Sequence, residues 1–189
     1  MMPAEMAPRT SGFVVWIEGL PCSGKTTIAQ AVSRALQTTG QDIQILDGDE
    51  VRRMFSPELG FSRKDREVHA RRVSYVARML ASHGVAVLVA MITPYETSRQ
   101  AARAEAQGPF VEVWLRCPVD VCRQRDSKGL YARAVKGELP RLTGVDDPFE
   151  EPLNPDLIVD TARLSAPQST ERVVDFLTQK HLVRAFAAA

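Results

Sequence analysis

Long hydrophobic runs are missing from this 189-residue sequence. The longest, Val85 to Ile92, has eight residues, whereas a membrane-spanning helix needs about 20, so no bilayer crossing is expected. Cysteine is scarce. Cys22, Cys117 and Cys122 are an odd set without the paired spacing of a zinc site or a disulfide framework, and they read as reduced thiols of a cytoplasmic protein. Neither sign of charge is in excess: 24 Lys and Arg against 23 Asp and Glu leave +1. That balance removes the global electrostatic case for a nucleic-acid or membrane-surface partner and leaves only local anion sites. With 44% hydrophobic and 25% charged residues, disordered and collagen-like chains are excluded. The length suits one domain. Residues 1–12 carry Pro3 and Pro8 and lack the apolar core of a secretory signal, so they read as a flexible leader. Residues 13–182 then form the domain and 183–189 a frayed tail.

What is present is an alternation of short apolar runs with amphipathic stretches. Phe13–Glu18, Ile43–Leu46, Val85–Ile92, Phe110–Leu115 and Leu157–Val159 read as strands, the first and third apolar enough to be buried on both faces. Helices are expected over Lys25–Thr39, Arg63–Ser82, Glu96–Gln107, Pro118–Arg125 and Ser169–Gln179. Gly40 and Gly84 sit where two of them should stop, and Thr93-Pro94 fits an N-cap followed by proline at the first helical position. Residues 126–155 have few apolar positions and no clear period, as expected of a lid or an excursion. Strands alternating with helices predict an α/β fold, a parallel sheet of about five strands with helices on both faces and ligands at the strands' carboxyl ends.

Gly19-Leu20-Pro21-Cys22-Ser23-Gly24-Lys25-Thr26 matches G-x-x-x-x-G-K-[ST] in full, between a predicted strand and a predicted helix. The glycines let backbone N–H groups turn inward around a triphosphate, and the helix N-terminus adds a positive end. In that arrangement Gly19 through Thr27 bind ATP, Lys25 bridges the β- and γ-phosphates, and the Thr26 hydroxyl ligates Mg²⁺. Cys22 reads either as a reactive thiol or as a small loop-filling side chain. No acidic residue closes the Val85–Ile92 strand, so the candidate acids are Asp47 and Asp49, flanking Gly48 after the second strand. One of them can orient magnesium or an acceptor hydroxyl, although D-G-D is also a common turn.

From about Val14 to Asp160 the sequence resembles the adenylyl-sulfate kinases. The resemblance rests on the phosphate loop, Asp47 to Arg52, Leu59-Gly60-Phe61-Ser62, Asp65-Arg66 with Arg71-Arg72, and Pro94-Tyr95. It continues through Arg125 to Tyr131, Lys136-Gly137-Glu138 and Thr143 to Glu150. It implies a P-loop kinase that passes the γ-phosphoryl of ATP to the 3′-hydroxyl of adenosine 5′-phosphosulfate in sulfate assimilation, and a homodimer. It also implies that Asp49 lies near the 3′-hydroxyl and shares the Mg²⁺ with Thr26. Arg52 and Arg66 would bind the phosphosulfate, Phe61 would stack on the acceptor adenine, and Lys128 would close from the lid. Arg125, and less clearly Arg123, fall on the ATP side, where surface charge is the competing reading, as it is for Arg71 and Arg72.

Three positions depart from the family pattern. Thr93 stands where a serine, sometimes proposed to form a phosphoenzyme, is usual; a hydroxyl survives for catalysis, but an N-cap would also explain it. His69 replaces an asparagine that contacts the acceptor, and an imidazole can charge near pH 6.5. Leu142 replaces a phenylalanine that completes the adenine sandwich, giving up stacking of roughly 0.5–1.5 kcal/mol. Two other readings follow. One is a kinase of the same fold acting on another nucleotide, such as a cytidine diphosphate derivative, prompted by His69 and Leu142. The other is a nucleotide-binding subunit without turnover, prompted by Thr93.

Overall fold

The computed structural model describes residues 12–183; the expected leader, apart from Gly12, and all but the first residue of the expected tail lie outside the described residues. Five parallel strands, β1 (Phe13–Glu18), β2 (Ile43–Asp47), β3 (Ala86–Ala90), β4 (Phe110–Arg116) and β5 (Leu157–Asp160), form one sheet in the order β2-β3-β1-β4-β5. The helices are α1 (Lys25–Gln37), α2 (Gly48–Phe55), α3 (Arg63–Ser82), α4 (Glu96–Glu105), α5 (Val119–Arg125), α6 (Leu130–Val135) and α7 (Ala166–Gln179). The α/β architecture read from the sequence is the one observed. Among the described residues no helix is long and apolar enough to cross a membrane.

Every residue of β1 is buried, yet its side chains still alternate between faces. Phe13, Val15 and Ile17 join α1 and α7 in one core cluster, while Val14 and Trp16 join α3, Val87 and Val89 in another. Central placement of β1 carries its carboxyl end, and hence Gly19, to the middle of the sheet's ligand edge. Gly19 has φ 146°, and a Cβ there would fall 2.7 Å from the Leu115 carbonyl oxygen, so the chain can leave β1 toward the loop only with glycine.

Five local expectations change. β3 is shorter than Val85–Ile92, because Met91 onward turns away into the loop before α4. Thr93 is not an N-cap: it has φ 41°, and α4 starts after Tyr95, which makes no side-chain cap. α2 forms where a turn was the competing reading; the Asp47 carboxylate accepts from the Asp49 N–H and caps it, and a Cβ on Gly48 would meet Met91 at 3.0 Å. Within residues 126–155 the short α6 forms because Asp126 accepts from the backbone N–H groups of Tyr131 (3.1 Å) and Ala132 (3.0 Å). Capping boxes start α3 and α7, Ser62 with Asp65 and Ser165 with Gln168, the latter opening α7 at Ala166, three residues ahead of the expected Ser169.

Candidate active site

The phosphate loop, the start of α2, the start of α3 and residues 125–128 enclose one cleft of about 470 Å³, a size that suits nucleotide-sized ligands. Residues Pro21 through Thr27, Asp49, Arg52, Phe61, Arg66, His69, Thr93, Arg125 and Lys128 all line it. Gly19 and Leu20 do not, but their carbonyls accept from Lys25 Nζ at 3.0 and 2.7 Å. Burial lowers the Lys25 ammonium to about 8. Cys22 holds φ 62° within the loop, its thiol half-buried on the wall of the cleft.

Thr26 Oγ1 donates to Asp47 Oδ2 at 2.6 Å. The carboxylate coupled to the Thr26 hydroxyl, the expected Mg²⁺ ligand, is therefore Asp47, which caps α2, rather than Asp49. Asp49 reaches across the cleft to the Lys128 ammonium, its side chain still 75% exposed. Both carboxylates sit at the carboxyl end of β2, one turned toward the loop and one toward the residues ahead of α6.

On the other side of the cleft, Phe61 is half exposed, with the Arg52 and Arg66 guanidiniums 4.5 and 5.4 Å from its ring centre. Arg52 donates to the Gly60 carbonyl, and its guanidinium is lowered by burial and by Arg66 beside it. Arg66 donates to Arg141 O at 2.7 Å and pairs with Asp147 at 3.5 Å. His69 is buried against Ser56, and burial together with Arg52 and Arg72 lowers it to about 4. It therefore stays neutral, which corrects the expectation that it charges near pH 6.5.

Leu142 is not in the cleft: it is buried with Cys117, Cys122 and Tyr131, against Leu20, so it offers no face to a base. Thr93 lines the cleft, and its hydroxyl accepts from the Trp16 indole N–H at 2.9 Å. Arg125 donates to the Thr161 carbonyl, and Thr161 Oγ1 donates to Ser23 O at 3.0 Å, tying the end of β5 to the phosphate loop. Arg123 pairs at 3.8 Å with Asp120 on the surface, and Arg71 lines a separate groove beside Tyr75. Sequence reasoning missed Thr161, and also Arg99, Glu18 and Glu112, a buried ionic cluster that includes the last residue of β1 before the loop. Only the acid that precedes Gly19 hinted at that cluster.

A glycine-rich loop with its lysine and threonine, an acid at the end of the neighbouring strand, and a cleft that continues past it to two arginines define a P-loop phosphotransferase. A sequence model of the family described as adenylylsulphate kinase matches residues 11–160, and the chain belongs to that family. It is 45% identical over 184 residues to the adenylyl-sulfate kinase of Myxococcus xanthus, covering 96% of this chain and 99% of the relative. It is also 45% identical to that of Chloroflexus aurantiacus, with 92% of each chain covered. The Mycobacterium tuberculosis APS kinase solved with AMPPNP and APS superimposes with a TM-score of 0.85 at 41% identity, over 88% of this chain and 98% of that one.

Proposed function

We propose that this protein transfers the γ-phosphoryl group of ATP to the 3′-hydroxyl of adenosine 5′-phosphosulfate, releasing ADP. The carrying observation is that one continuous cleft holds the phosphate loop and, across from it, Asp49, Arg52, Phe61 and Arg66. The loop amides and Lys25 hold the triphosphate. Arg52 and Arg66 present planar paired donors to the phosphosulfate oxyanions, and Phe61 offers its face to the acceptor base. Asp49 orients the 3′-hydroxyl and takes its proton as that oxygen bonds to the γ-phosphorus and the bond to the β-phosphate oxygen breaks. Lys128, already on Asp49, closes over the reacting groups with residues 126–155 acting as a lid that excludes water. Arg125 completes the ATP side. No phosphoenzyme is required, and the Thr93 hydroxyl serves to hold the loop before α4 against Trp16.

The residues fit Mg²⁺. Thr26 Oγ1 and Asp47 are hard oxygen donors in contact at the loop, and among the described residues no group of three His, Cys, Asp or Glu could hold a metal alone. Thr26 and Asp47, directly or through water, would hold the ion with the phosphate oxygens supplying the rest of its shell. When bound, it neutralises charge on the β- and γ-phosphoryl oxygens. Three free thiols support a reducing, cytoplasmic setting. The exposed apolar side chains of Met54, Phe55, Tyr75 and Met79 on α2 and α3 support the homodimer. The cytidine diphosphate alternative loses half of its motive, because Leu142 is not part of the cleft.

The test is transfer of labelled γ-phosphate from Mg·ATP across a panel of nucleotides. Labelling of adenosine 5′-phosphosulfate in preference to the others is expected; preference for a different acceptor would sink the assignment.

A pH dependence follows from Lys25. Bound phosphates hold the ammonium charged, whereas the free protein releases its proton at about 8. Above that pH, binding must take a proton up, and ATP affinity falls by up to about tenfold per pH unit. Titration of a fluorescent ATP analogue from pH 7 to 9.5 should show the fall in wild type but not in Lys25→Met. A flat wild-type profile would contradict it.

A further inference from the structure

Thr93 is 3% exposed and has φ 41°, and among the described residues it is the only β-branched one at positive φ. That backbone is strained for a branched side chain and persists only where the surroundings over-determine it. Two buried side chains do so. The Thr93 hydroxyl accepts from the indole N–H of Trp16 on β1, and the Thr93 carbonyl accepts from Nη1 of Arg99 on α4, both at 2.9 Å.

The rest of the Arg99 guanidinium is fixed as well. Nη2 donates to Glu96 Oε2 at 2.6 Å, and Nε lies 3.1 Å from that oxygen and 3.5 Å from both Glu18 and Glu112. A planar fork can face these carboxylates and the Thr93 carbonyl at once, whereas a lysine ammonium, a compact charge, cannot span them. The sheet order says what is being held. β3 lies between β2 and β1, so the residues that follow it leave the sheet between Asp49 and the phosphate loop. Met91, Ile92, Thr93 and Pro94 all line the cleft there.

We propose that Arg99 is a positioning residue for phosphoryl transfer: through the strained Thr93 it fixes the wall formed by residues 91–94, and so sets how the acceptor hydroxyl sits against the phosphate loop. This rests on the reading given under Proposed function. ATP is held by the loop amides and Lys25, so loss of Arg99 should be felt by the acceptor and by the transfer step. A reacting group misplaced by about 1 Å loses on the order of a hundredfold in rate.

The test is Arg99→Lys, which keeps a cation for the carboxylates and gives up the Thr93 carbonyl. Labelled-phosphate transfer should show kcat lowered by about tenfold to a hundredfold and KM for adenosine 5′-phosphosulfate raised about tenfold, while the affinity for a fluorescent ATP analogue stays within about twofold of wild type. The Trp16 indole N–H, assigned in ¹H–¹⁵N spectra by its loss in Trp16→Phe, reports where the Thr93 hydroxyl is and should shift in Arg99→Lys. Arg103→Lys disturbs the same cluster from its far side, where Arg103 donates to Glu112 at 3.0 Å and to Asp156 at 2.6 Å. It should lower the melting temperature and leave the Trp16 signal, kcat and acceptor KM as in wild type. If Arg99→Lys does not fold, Thr93→Gly, which frees the backbone and removes the hydroxyl, should show the same split between acceptor and ATP. Wild-type kinetics in folded Arg99→Lys or in Thr93→Gly, an unmoved Trp16 signal in Arg99→Lys, or equal kinetic losses in Arg103→Lys overturns the proposal. Failure of wild type to phosphorylate any nucleotide overturns the functional reading instead, and the Trp16 signal still tests the link from Arg99 to Thr93.

Discussion

Lys25→Ala is expected to reduce phosphoryl transfer by about a thousandfold or more. The Lys25 ammonium bonds to the carbonyls of Gly19 and Leu20, which keeps it at the loop. A triphosphate can take this ammonium over, and the charge then lies where the γ-phosphoryl gains negative character in the transition state. Alanine removes that charge from the loop itself, whereas Arg125 beside Thr161 and Lys128 beside Asp49 serve other parts of the cleft. Lys25→Arg should recover little, since a planar guanidinium does not fit the site of a compact ammonium. Labelled-phosphate transfer measures the loss, and a melting curve shows whether the fold persists. A folded Lys25→Ala protein with a tenth of wild-type kcat would exclude the role given to this lysine.

Arg99→Leu is expected to cost about 3–5 kcal/mol of stability, since it strips the cation from a buried ionic cluster. Arg99 is 1% exposed and lies 3.5 Å from Glu18, 3.5 Å from Glu112 and 2.6 Å from Glu96. Its Nη1 donates to Thr93 O at 2.9 Å, so the same guanidinium ties the strand that feeds the phosphate loop to the loop that precedes α4. Burial raises the Glu18 carboxyl well above the usual range; Arg99 opposes the rise and Glu112 adds to it. The folded state therefore binds more protons than the unfolded state from the ordinary carboxylate range up to that raised value. Across this window the contribution of Glu18 to stability falls as pH rises. Without Arg99 the fall is steeper, so the loss in Arg99→Leu should be smaller at pH 5 than at pH 8. Adding Glu18→Gln should recover part of it. Urea unfolding of wild type and the two variants at both pH values checks this, and equal losses at the two would contradict the shared-cluster account.

Much of the fold was legible because its signals are local. Apolar runs marked the five strands, and the capping box of α3 is a contiguous string. Strand order was not legible: it depends on which crossover goes to which side of β1. α2 was hidden because Asp47-Gly48-Asp49 reads equally as a turn, and the Asp47 side chain that caps the helix would also close an Asx turn. α6 was hidden because its cap, Asp126, acts from outside the helix across a left-handed Gly129. In the cleft, the phosphate loop was readable because a strand, a loop and a helix must follow one another to build it. The partnership of Thr26 with Asp47, 21 positions apart, and the ionic cluster around Arg99 are meetings made by the sheet, and no spacing rule reveals them. Leu142 shows the converse: family correspondence pointed to a base-stacking position, whereas the side chain is buried with Cys117, Cys122 and Tyr131.

Residues 126–155 are tied to both halves of the cleft at once. Tyr131 Oη donates to Pro21 O at 3.1 Å in the phosphate loop, and Gly144, at φ 86°, is pressed so closely on Leu20 that a Cβ would fall 2.6 Å from it. On the other side, Arg141 O accepts from Arg66, and the Glu150 N–H donates to Pro94 O at 2.8 Å. A displacement of this segment by one nucleotide would therefore be felt on both sides of the cleft. If the donor nucleotide shifts it toward the closed arrangement, the energy reappears as tighter binding of the second substrate, and thermodynamic reciprocity requires the second to tighten the first by the same factor. With residues 126–155 acting as the proposed lid, the two substrates would be cooperative ligands of one element, and the strength of that cooperativity would be a property of this strap rather than of either binding surface.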